Sequence, residues 1–534
     1  MKNKIRIAFI GNKTILDNWI FYMLKDIVGN PQIEVVNFFV IPIPEPEYPF
    51  SYRLYDLFEK HVFKFKFDAF EKKDVHKLIP SNKISTIHKQ HYFTKIKHSL
   101  KNKNIDFIVN LDCNISMHSL ENFVNVGVLF FYHGALNAPI SHIAGLREIL
   151  NSQDFIETHL MMLSKESHLK AIKTTKVGTD NVSIRGSVND LLWTSSRLLP
   201  RELDRFILNS TFKYVQPNKI SNVLNFKNQS NIWKPNNLFI LKGLFKKYFK
   251  KIQSYITFKF YFEQWILMYI SKPYNVLKEH SPNNFNKILP PKDRFWADPF
   301  IYNKNNQNYV FFEELIYKEN KGHISVITLQ DNGTYTQPQC ILKKKYHLSY
   351  PFLIEDKGEL FMIPETFENN TIEIYRCVSF PYQWEFAMNL MNNIVAVDTT
   401  ILKRNNRFWM FTNIQERKGA SMNNELFIFY SDNLLSQNWH PHKENPVISD
   451  VTKARSAGNI FEYENEFYRP AQNCGKHYGY SFSINKIVTL TEEDYKEHEV
   501  SNTLPNWDKN ILSTHTFNQF NDLALIDAVM KIKK

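Results

Sequence analysis

The chain has 534 residues, 43% hydrophobic and 22% charged, with a net charge of +13. That is enough for two large domains or roughly three smaller ones, with the composition of an ordinary globular protein. Its four cysteines (Cys113, Cys340, Cys377 and Cys474) are widely separated with no C-x-x-C spacing, which suggests neither a disulfide framework nor a zinc site. The charge is local: basic residues number 30 against 21 acidic in 1–233, 11 against 2 in 234–292, and 25 against 30 in 293–534. A uniformly basic nucleic-acid binder is thereby excluded, and no nucleic-acid partner is expected.

Along the chain, residues 5–10 (Ile-Arg-Ile-Ala-Phe-Ile) are short, carry an arginine and run into Gly11-Asn12. They predict a first β-strand and not a signal peptide. Residues 14–27 have helical spacing and residues 34–40 are strand-like; residues 106–111 and 128–132 are continuous apolar runs, as in strands buried on both faces. Residues 1–232 therefore predict an α/β, Rossmann-like domain with a mostly parallel sheet. The chain has no P-loop and no dinucleotide fingerprint, because Gly11-Asn12-Lys13 lacks the further glycines. No apolar run reaches the ~18 residues of a membrane span, so a cytoplasmic location is expected.

Residues 233–259 predict a basic amphipathic linker helix. Leu241, Phe245, Tyr248, Ile252 and Tyr255 recur at helical spacing, and Lys242, Lys246, Lys247, Lys250 and Lys251 fill the other face. Two readings are open: the stripe packs on a domain, or residues 238–256 touch an anionic membrane surface.

From residue 260 to 534 short strands alternate with polar turns, and 44 Phe and 26 Tyr against 15 Gly over the whole chain suit β-structure. A weak repeat starts at Asp298, Tyr350, Asp398 and Ala457, each start followed by an aromatic strand. A period near 50 in an all-β pattern predicts propeller blades. The last unit, near 515–526, is short, and residues 262–270 are expected to supply its missing strand and close a five-bladed ring.

Asp293-Arg294-Phe295-Trp296-Ala297-Asp298-Pro299-Phe300, Ser349-Tyr350-Pro351-Phe352, Pro364-Glu365, Asp398-Thr399-Thr400, Tyr468-Arg469-Pro470-Ala471-Gln472 and His515-Thr516-Phe517-Asn518 occur in that order. Together they resemble the propeller domain named for the N-terminal part of glucosamine inositolphosphorylceramide transferase. That domain looks related to the five-bladed propellers of arabinanases and xylosidases. The N-terminal region, through Asp106 to Leu111 and Gly127 to His133, resembles a methionyl-tRNA or sugar N-formyltransferase domain. That family carries Asn-x-His here, where this chain has Phe131 and His133, and a Leu-Asp-x-Gly where it has Ser167-His168-Leu169-Lys170. The polarising Asn and the orienting Asp are both missing, so a tetrahydrofolate derivative is not expected as cofactor, and no other cofactor is indicated.

Blade starts face the propeller axis, so equivalent positions converge. Asp298, Asp398, Glu365 and His133 are the candidate catalytic residues; Tyr350, Arg455, Arg469, Gln472 and His515 are the candidate substrate-binding residues, and no metal ligands are assigned. In the resembling glycosidases one Asp is the base, a second tunes the acid, and a later Glu is that acid. Asp298 and Asp398 fit the first two roles, but the fourth unit presents Arg455-Ser456-Ala457-Gly458, and hydrolysis needs two flanking carboxylates. Arg455 and Arg469 suit an anion or polyol, since guanidinium forks match phosphate and carboxylate oxygens. Asp298 also has a structural reading, a buried carboxylate accepting backbone N–H groups. The expected function is a carbohydrate-active transferase of surface-polysaccharide or glycolipid biosynthesis, with a sugar or nucleotide-sugar substrate in the propeller funnel. The alternatives are a non-catalytic glycan-binding or scaffolding protein and a formyltransferase acting on an amino sugar with altered catalytic groups.

Overall fold

In a computed structural model, the described residues are all except 1–3, 45, 89, 91, 113–114, 116–119, 137, 142, 167, 180–182, 216–231, 280 and 331. Cys113 and Ser167, both cited above, lie outside them. The chain divides into two compact units, Met1–Phe249 with Arg417–Ser421, and Lys250–Glu416 with Met422–Lys534. Among the described residues no helix is long and apolar enough to cross a membrane.

The first unit is built on a seven-stranded sheet. Its strands are β1 (Ile5–Gly11), β2 (Ile33–Val40), β3 (Ile84–Thr86), β4 (Phe107–Asn110), β5 (Gly127–His133), β6 (Phe155–Ser164) and β7 (Leu169–Gly178), in the spatial order β7-β6-β5-β4-β1-β2-β3. The first five are parallel, and β6 and β7 add antiparallel at one edge. Every residue of β4 is buried, which is why it reads as an unbroken apolar run. Alternation along β1 sends Ile7 and Phe9 to one core and Ala8 and Ile10 to the other, so both sheet faces are covered.

The helices are α1 (Asn18–Gly29), α2 (Phe50–Val62), α3 (Tyr92–Leu100), α4 (Leu146–Leu150), α5 (Ile184–Ser195), α6 (Leu198–Asn209) and α7 (Asn237–Phe260). The helical spacing from residue 14 begins too early: Ile15–Asp17 pairs as a short strand with Lys72–Asp74, and α1 starts only at Asn18. Ser183 caps α5, its hydroxyl accepting the Gly186 N–H at 2.9 Å.

The second unit is a five-bladed propeller. Four blades are formed in chain order by strands from Arg294–Lys304 to Gln339–Leu342, Ser349–Asp356 to Gln383–Asn392, Ala396–Arg404 to Ile448–Ser449, and Phe461–Tyr463 to Tyr495–Thr503. The fifth joins the two ends of the unit: Tyr261–Ser271 runs antiparallel to Leu523–Lys533 over its whole length, from Tyr261 against Lys533 to Ser271 against Leu523. That pairing closes the ring as the sequence suggested.

Each of the first four blades opens with a hairpin turned by two residues of positive φ: Asn305-Asn306, Lys357-Gly358, Asn405-Asn406 and Glu464-Asn465. Such turns match the right-handed twist of the strands they join. Seven residues earlier, in three blades, stands another positive-φ residue, Asp298 (φ 50°), Tyr350 (φ 46°) and Asp398 (φ 49°), where the strand register slips. In the fourth blade Gly458 (φ 127°), six residues before its turn, has positive φ, and a Cβ there would meet the Phe517 carbonyl at 2.1 Å. These bulges re-aim a side chain out of the sheet.

Candidate functional site

The re-aimed side chains meet. Asp398 accepts from Arg455 Nε (2.6 Å) and Nη2 (3.3 Å) and from Gln472 Nε2 (2.9 Å). Glu365, at the end of the second strand of its blade, accepts from Arg455 Nη2 (3.3 Å) and from the Asp398 N–H (3.3 Å). Asp298 accepts from the Tyr350 N–H (3.2 Å) and from Thr516 Oγ1 (2.8 Å), while its own N–H donates to Asp527 (3.0 Å). His515 Nδ1 lies 2.6 Å from Asp527 and its Nε2 lies 3.7 Å from Asp298. Residues from all five blades are thus tied at one end of the axis, and each carboxylate also latches a neighbouring strand. Asp298 is 4% exposed and Arg455 7%.

The electrostatics follow from this burial. Burial pushes the Asp298 carboxyl up to about 7, against the pull of His515 and with the push of Asp398. Burial, then Asp398, raises the Glu365 carboxyl well above the usual range despite Arg455. Burial opposes charge on His515, but Asp527 and Asp298 outweigh it and raise the imidazole to about 9. Burial likewise opposes ionisation of Asp527, and His515 overcomes it and lowers that carboxyl. Near neutral pH the cluster therefore holds carboxyl groups that can keep or give a proton beside a fixed cation, the inventory for protonating a bridging oxygen or gripping a polyol. Asp298, His515 and Asp527 also bring one donor atom each within 4.8 Å of one another, a hard set that sequence spacing did not signal.

Of the residues singled out, Asp298, Tyr350, Glu365, Asp398, Arg455, Gln472 and His515 come together. Tyr350 is fully buried, its hydroxyl held between Thr400 (2.8 Å) and the Gly458 backbone (N–H at 2.8 Å, carbonyl at 3.2 Å). Arg469 does not join them: it is 1% exposed and forms a two-pronged pair with Glu497, at 2.8 Å on each prong, inside the fourth blade. Strand alternation puts it on the opposite face of the strand from Gln472, three residues on, which reaches Asp398. His347, also outside the cluster, pairs with Glu313 at 3.1 Å.

Three participants were not legible in the sequence. Asp527 comes from the last strand, Trp265 stacks on His515 with ring centres 4.2 Å apart, and Tyr478, 45% exposed, lies over Arg455 at 4.8 Å and edge-on to His515 at 5.4 Å. Tyr478 gives the cluster an aromatic rim on its solvent side.

His133 belongs to the first unit and to a separate cavity of about 720 Å³, lined at the carboxyl ends of the parallel strands by Gly11, Asn12, Asn110, Asp112, Phe131 and His133, and by one side of α2. That is where open α/β sheets hold ligands. Burial, with some help from His159, lowers the His133 imidazole to about 4, so it is neutral at pH 7. Its Nδ1 meets Thr158 Oγ1 at 2.8 Å, and Phe131 stacks parallel to it with ring centres 6.2 Å apart. Across the cavity Glu59 accepts the Ile184 and Arg185 N–H groups at the start of α5 and the Tyr55 hydroxyl.

An axial cluster of carboxylates and arginine beside the half-exposed Tyr478, in a five-bladed propeller, is the candidate site of the second unit. Residues 286–521 match the family model described as glucosamine inositolphosphorylceramide transferase 1, N-terminal. The chain is 35% identical over 218 residues to glucosamine inositolphosphorylceramide transferase 1 of Arabidopsis thaliana, covering 40% of this chain and 28% of that protein. It is 34% identical over 210 residues to the protein of that name in Oryza sativa subsp. japonica, covering 39% and 28%. The chain therefore spans little more than a quarter of these curated relatives. Similar solved structures include a family 117 glycoside hydrolase from Zobellia galactanivorans (TM-score 0.33, 9% identity, 50% of this chain and 90% of that one). The β-xylosidase RS223 has a TM-score of 0.31 and 13% identity, over 43% of this chain and 91% of that one.

Proposed function

We propose that this protein handles a sugar or nucleotide-sugar at the axial cluster of its propeller and acts in a sugar transfer of glycolipid or surface-polysaccharide assembly, on the cytoplasmic side of a membrane. The observation that carries this reading is the convergence of Asp298, Glu365, Asp398 and Arg455, from four blades, beneath the exposed ring of Tyr478. In it, Arg455 and Asp398 grip hydroxyl or acidic groups of the sugar, Tyr478 stacks on its apolar face, and Asp298 or Glu365 supplies the proton. Titration calorimetry with amino sugars, uronic acids and nucleotide-sugars tests it: Tyr478→Ala and Asp398→Asn should each weaken binding at least tenfold, with circular dichroism confirming the fold. Absence of saccharide binding by the unmodified protein, or binding indifferent to both substitutions, refutes it.

A second reading, non-catalytic glycan binding, is favoured by one observation. Asp298, Glu365 and Asp527 each accept a backbone N–H from the next blade around the ring, those of Tyr350, Asp398 and Asp298, work that needs no turnover. Saccharide binding without transfer from a labelled nucleotide-sugar to a lipid-linked acceptor would select it. Formyl transfer to an amino sugar rests on His133 alone, at the edge of its cavity.

A further inference from the structure

α2 and α7 are neighbours in the first unit. Asn237 Oδ1, at the start of α7, accepts from the N–H (3.0 Å) and hydroxyl (2.9 Å) of Ser51, and the rings of Tyr55 and Tyr248 meet edge-on at 6.4 Å. α7 holds to this unit through buried Ile240, through Gly243, whose place a Cβ would contest with Leu150 at 2.7 Å, and through Leu244 and Tyr248. Of the apolar stripe read from the sequence, Tyr248 joins this packing, while Leu241 and Phe245 stay uncovered, 56% and 71% exposed. Leu238 and Phe249 are exposed beside them.

α2 carries a second uncovered stripe that the sequence analysis did not single out. Phe50, Leu54, Leu57, Phe58 and Val62 are all exposed, and at 100° per residue they share an arc of roughly 140°. The opposite side of the helix, Tyr52, Tyr55 and Glu59, walls the His133 cavity, and Leu57 belongs to both the stripe and the cavity lining. With large side chains of 150 Å² or more, the nine residues leave on the order of 900 Å² of apolar surface uncovered over the two stripes together.

Charge decides what covers it. The 24 residues of α7 include six lysines and no acidic residue. Lys242 and Lys246 are exposed next to the stripe on the helical wheel. An exposed apolar stripe with lysines along one edge and no acidic residue in its helix fits a surface that is apolar within and anionic at its rim.

We infer that the paired stripes of α2 and α7 dock this protein onto an anionic lipid bilayer, with α2 as the element that both rests in the headgroup layer and walls the cavity. Leu57 then sets the rim of that cavity at the bilayer, so the compound admitted there is amphiphilic, its polar group in the cavity and its chain left in the lipid.

The test uses the full chain and phosphatidylcholine vesicles with or without 30 mol% phosphatidylglycerol, by flotation and by hydrogen exchange. Expected are flotation only with anionic lipid, reduced at least tenfold in 0.5 M salt, and slowed exchange in peptides covering both 50–62 and 237–249. Leu54→Glu with Phe245→Glu should lower partitioning at least tenfold while leaving saccharide binding by the propeller unchanged, which separates this inference from the function proposed above. Lys242→Glu with Lys246→Glu should abolish the preference for anionic lipid. No flotation, flotation unchanged in the variants, slowed exchange confined to other segments, or a dimer dispersed by Leu54→Glu with Phe245→Glu would each overturn it, the last by showing a second copy as the true cover.

Discussion

Replacing Arg455 by Met is the most informative single change in the propeller. The guanidinium makes bonds of 2.6 and 3.3 Å to Asp398, 3.3 Å to Glu365 and 2.8 Å to Asn423, almost wholly out of water. Met fills much the same volume and removes only the charge and donors. Two adjacent buried carboxylates are then left without their cation, which costs about 3–5 kcal/mol. At a urea dependence of about 2–3 kcal/mol per molar, the propeller should unfold about 1–2.5 M earlier at pH 7. The loss should shrink on acidification. Glu365 already has a raised folded-state affinity for a proton, and removing Arg455 raises it further, so the folded variant takes up protons more readily than the unfolded chain and gains stability as pH falls. Because the chain has two units, the transition is best followed by pulsed hydrogen exchange on peptides from 349–365 and 396–414 rather than by a global signal. A loss below about 1 kcal/mol at pH 7, or one that grows on acidification, would refute the view that Arg455 neutralises both carboxylates.

Other outcomes follow from the same geometry. His515, raised to about 9 from an ordinary 6.5, contributes stability that is fully present below pH 6.5 and lost as pH rises through 9, on the order of 3 kcal/mol. Asp298, raised to about 7, acts in the same direction between pH 4 and 7, so propeller stability measured by denaturation should fall from mild acid to pH 9, and His515→Asn should flatten the alkaline part. Arg469→Met should destabilise the fourth blade by about 3–5 kcal/mol, and adding Glu497→Leu should recover most of it; failure of that rescue would mean Arg469 does more than pair with Glu497. Calorimetry with a folinic-acid analogue should show weak or no binding, since the side chains that His133 meets, Phe131 and Thr158, are neither an amide nor a carboxylate; tight binding lost in His133→Ala would revive formyl transfer.

The sequence by itself determined the periodic features. Continuous apolar runs such as 107–110 marked parallel strands because both faces of that sheet are covered. Repeated starts at Asp298, Tyr350 and Asp398, each seven residues before a two-residue turn, marked blades because every blade solves the same local problem of bending a strand at the axis. The same repeat named most of the axial cluster, since equivalent positions in a ring must converge. Only the tertiary structure decided which candidates meet. Arg469 and Gln472 sit three residues apart on one strand, so alternation sends one to Glu497 and the other to Asp398. Asp527 and Tyr478 join through a closing strand and a loop that carry no repeat signal. The α7 stripe was visible as a helical period, but a period says that a face is apolar and not whether something covers it. Coverage is a property of neighbours: Tyr248 of that stripe packs against Tyr55, with Ile240 buried nearby, while Leu241 and Phe245 on α7 and Leu54 and Phe58 on α2 are left to the solvent.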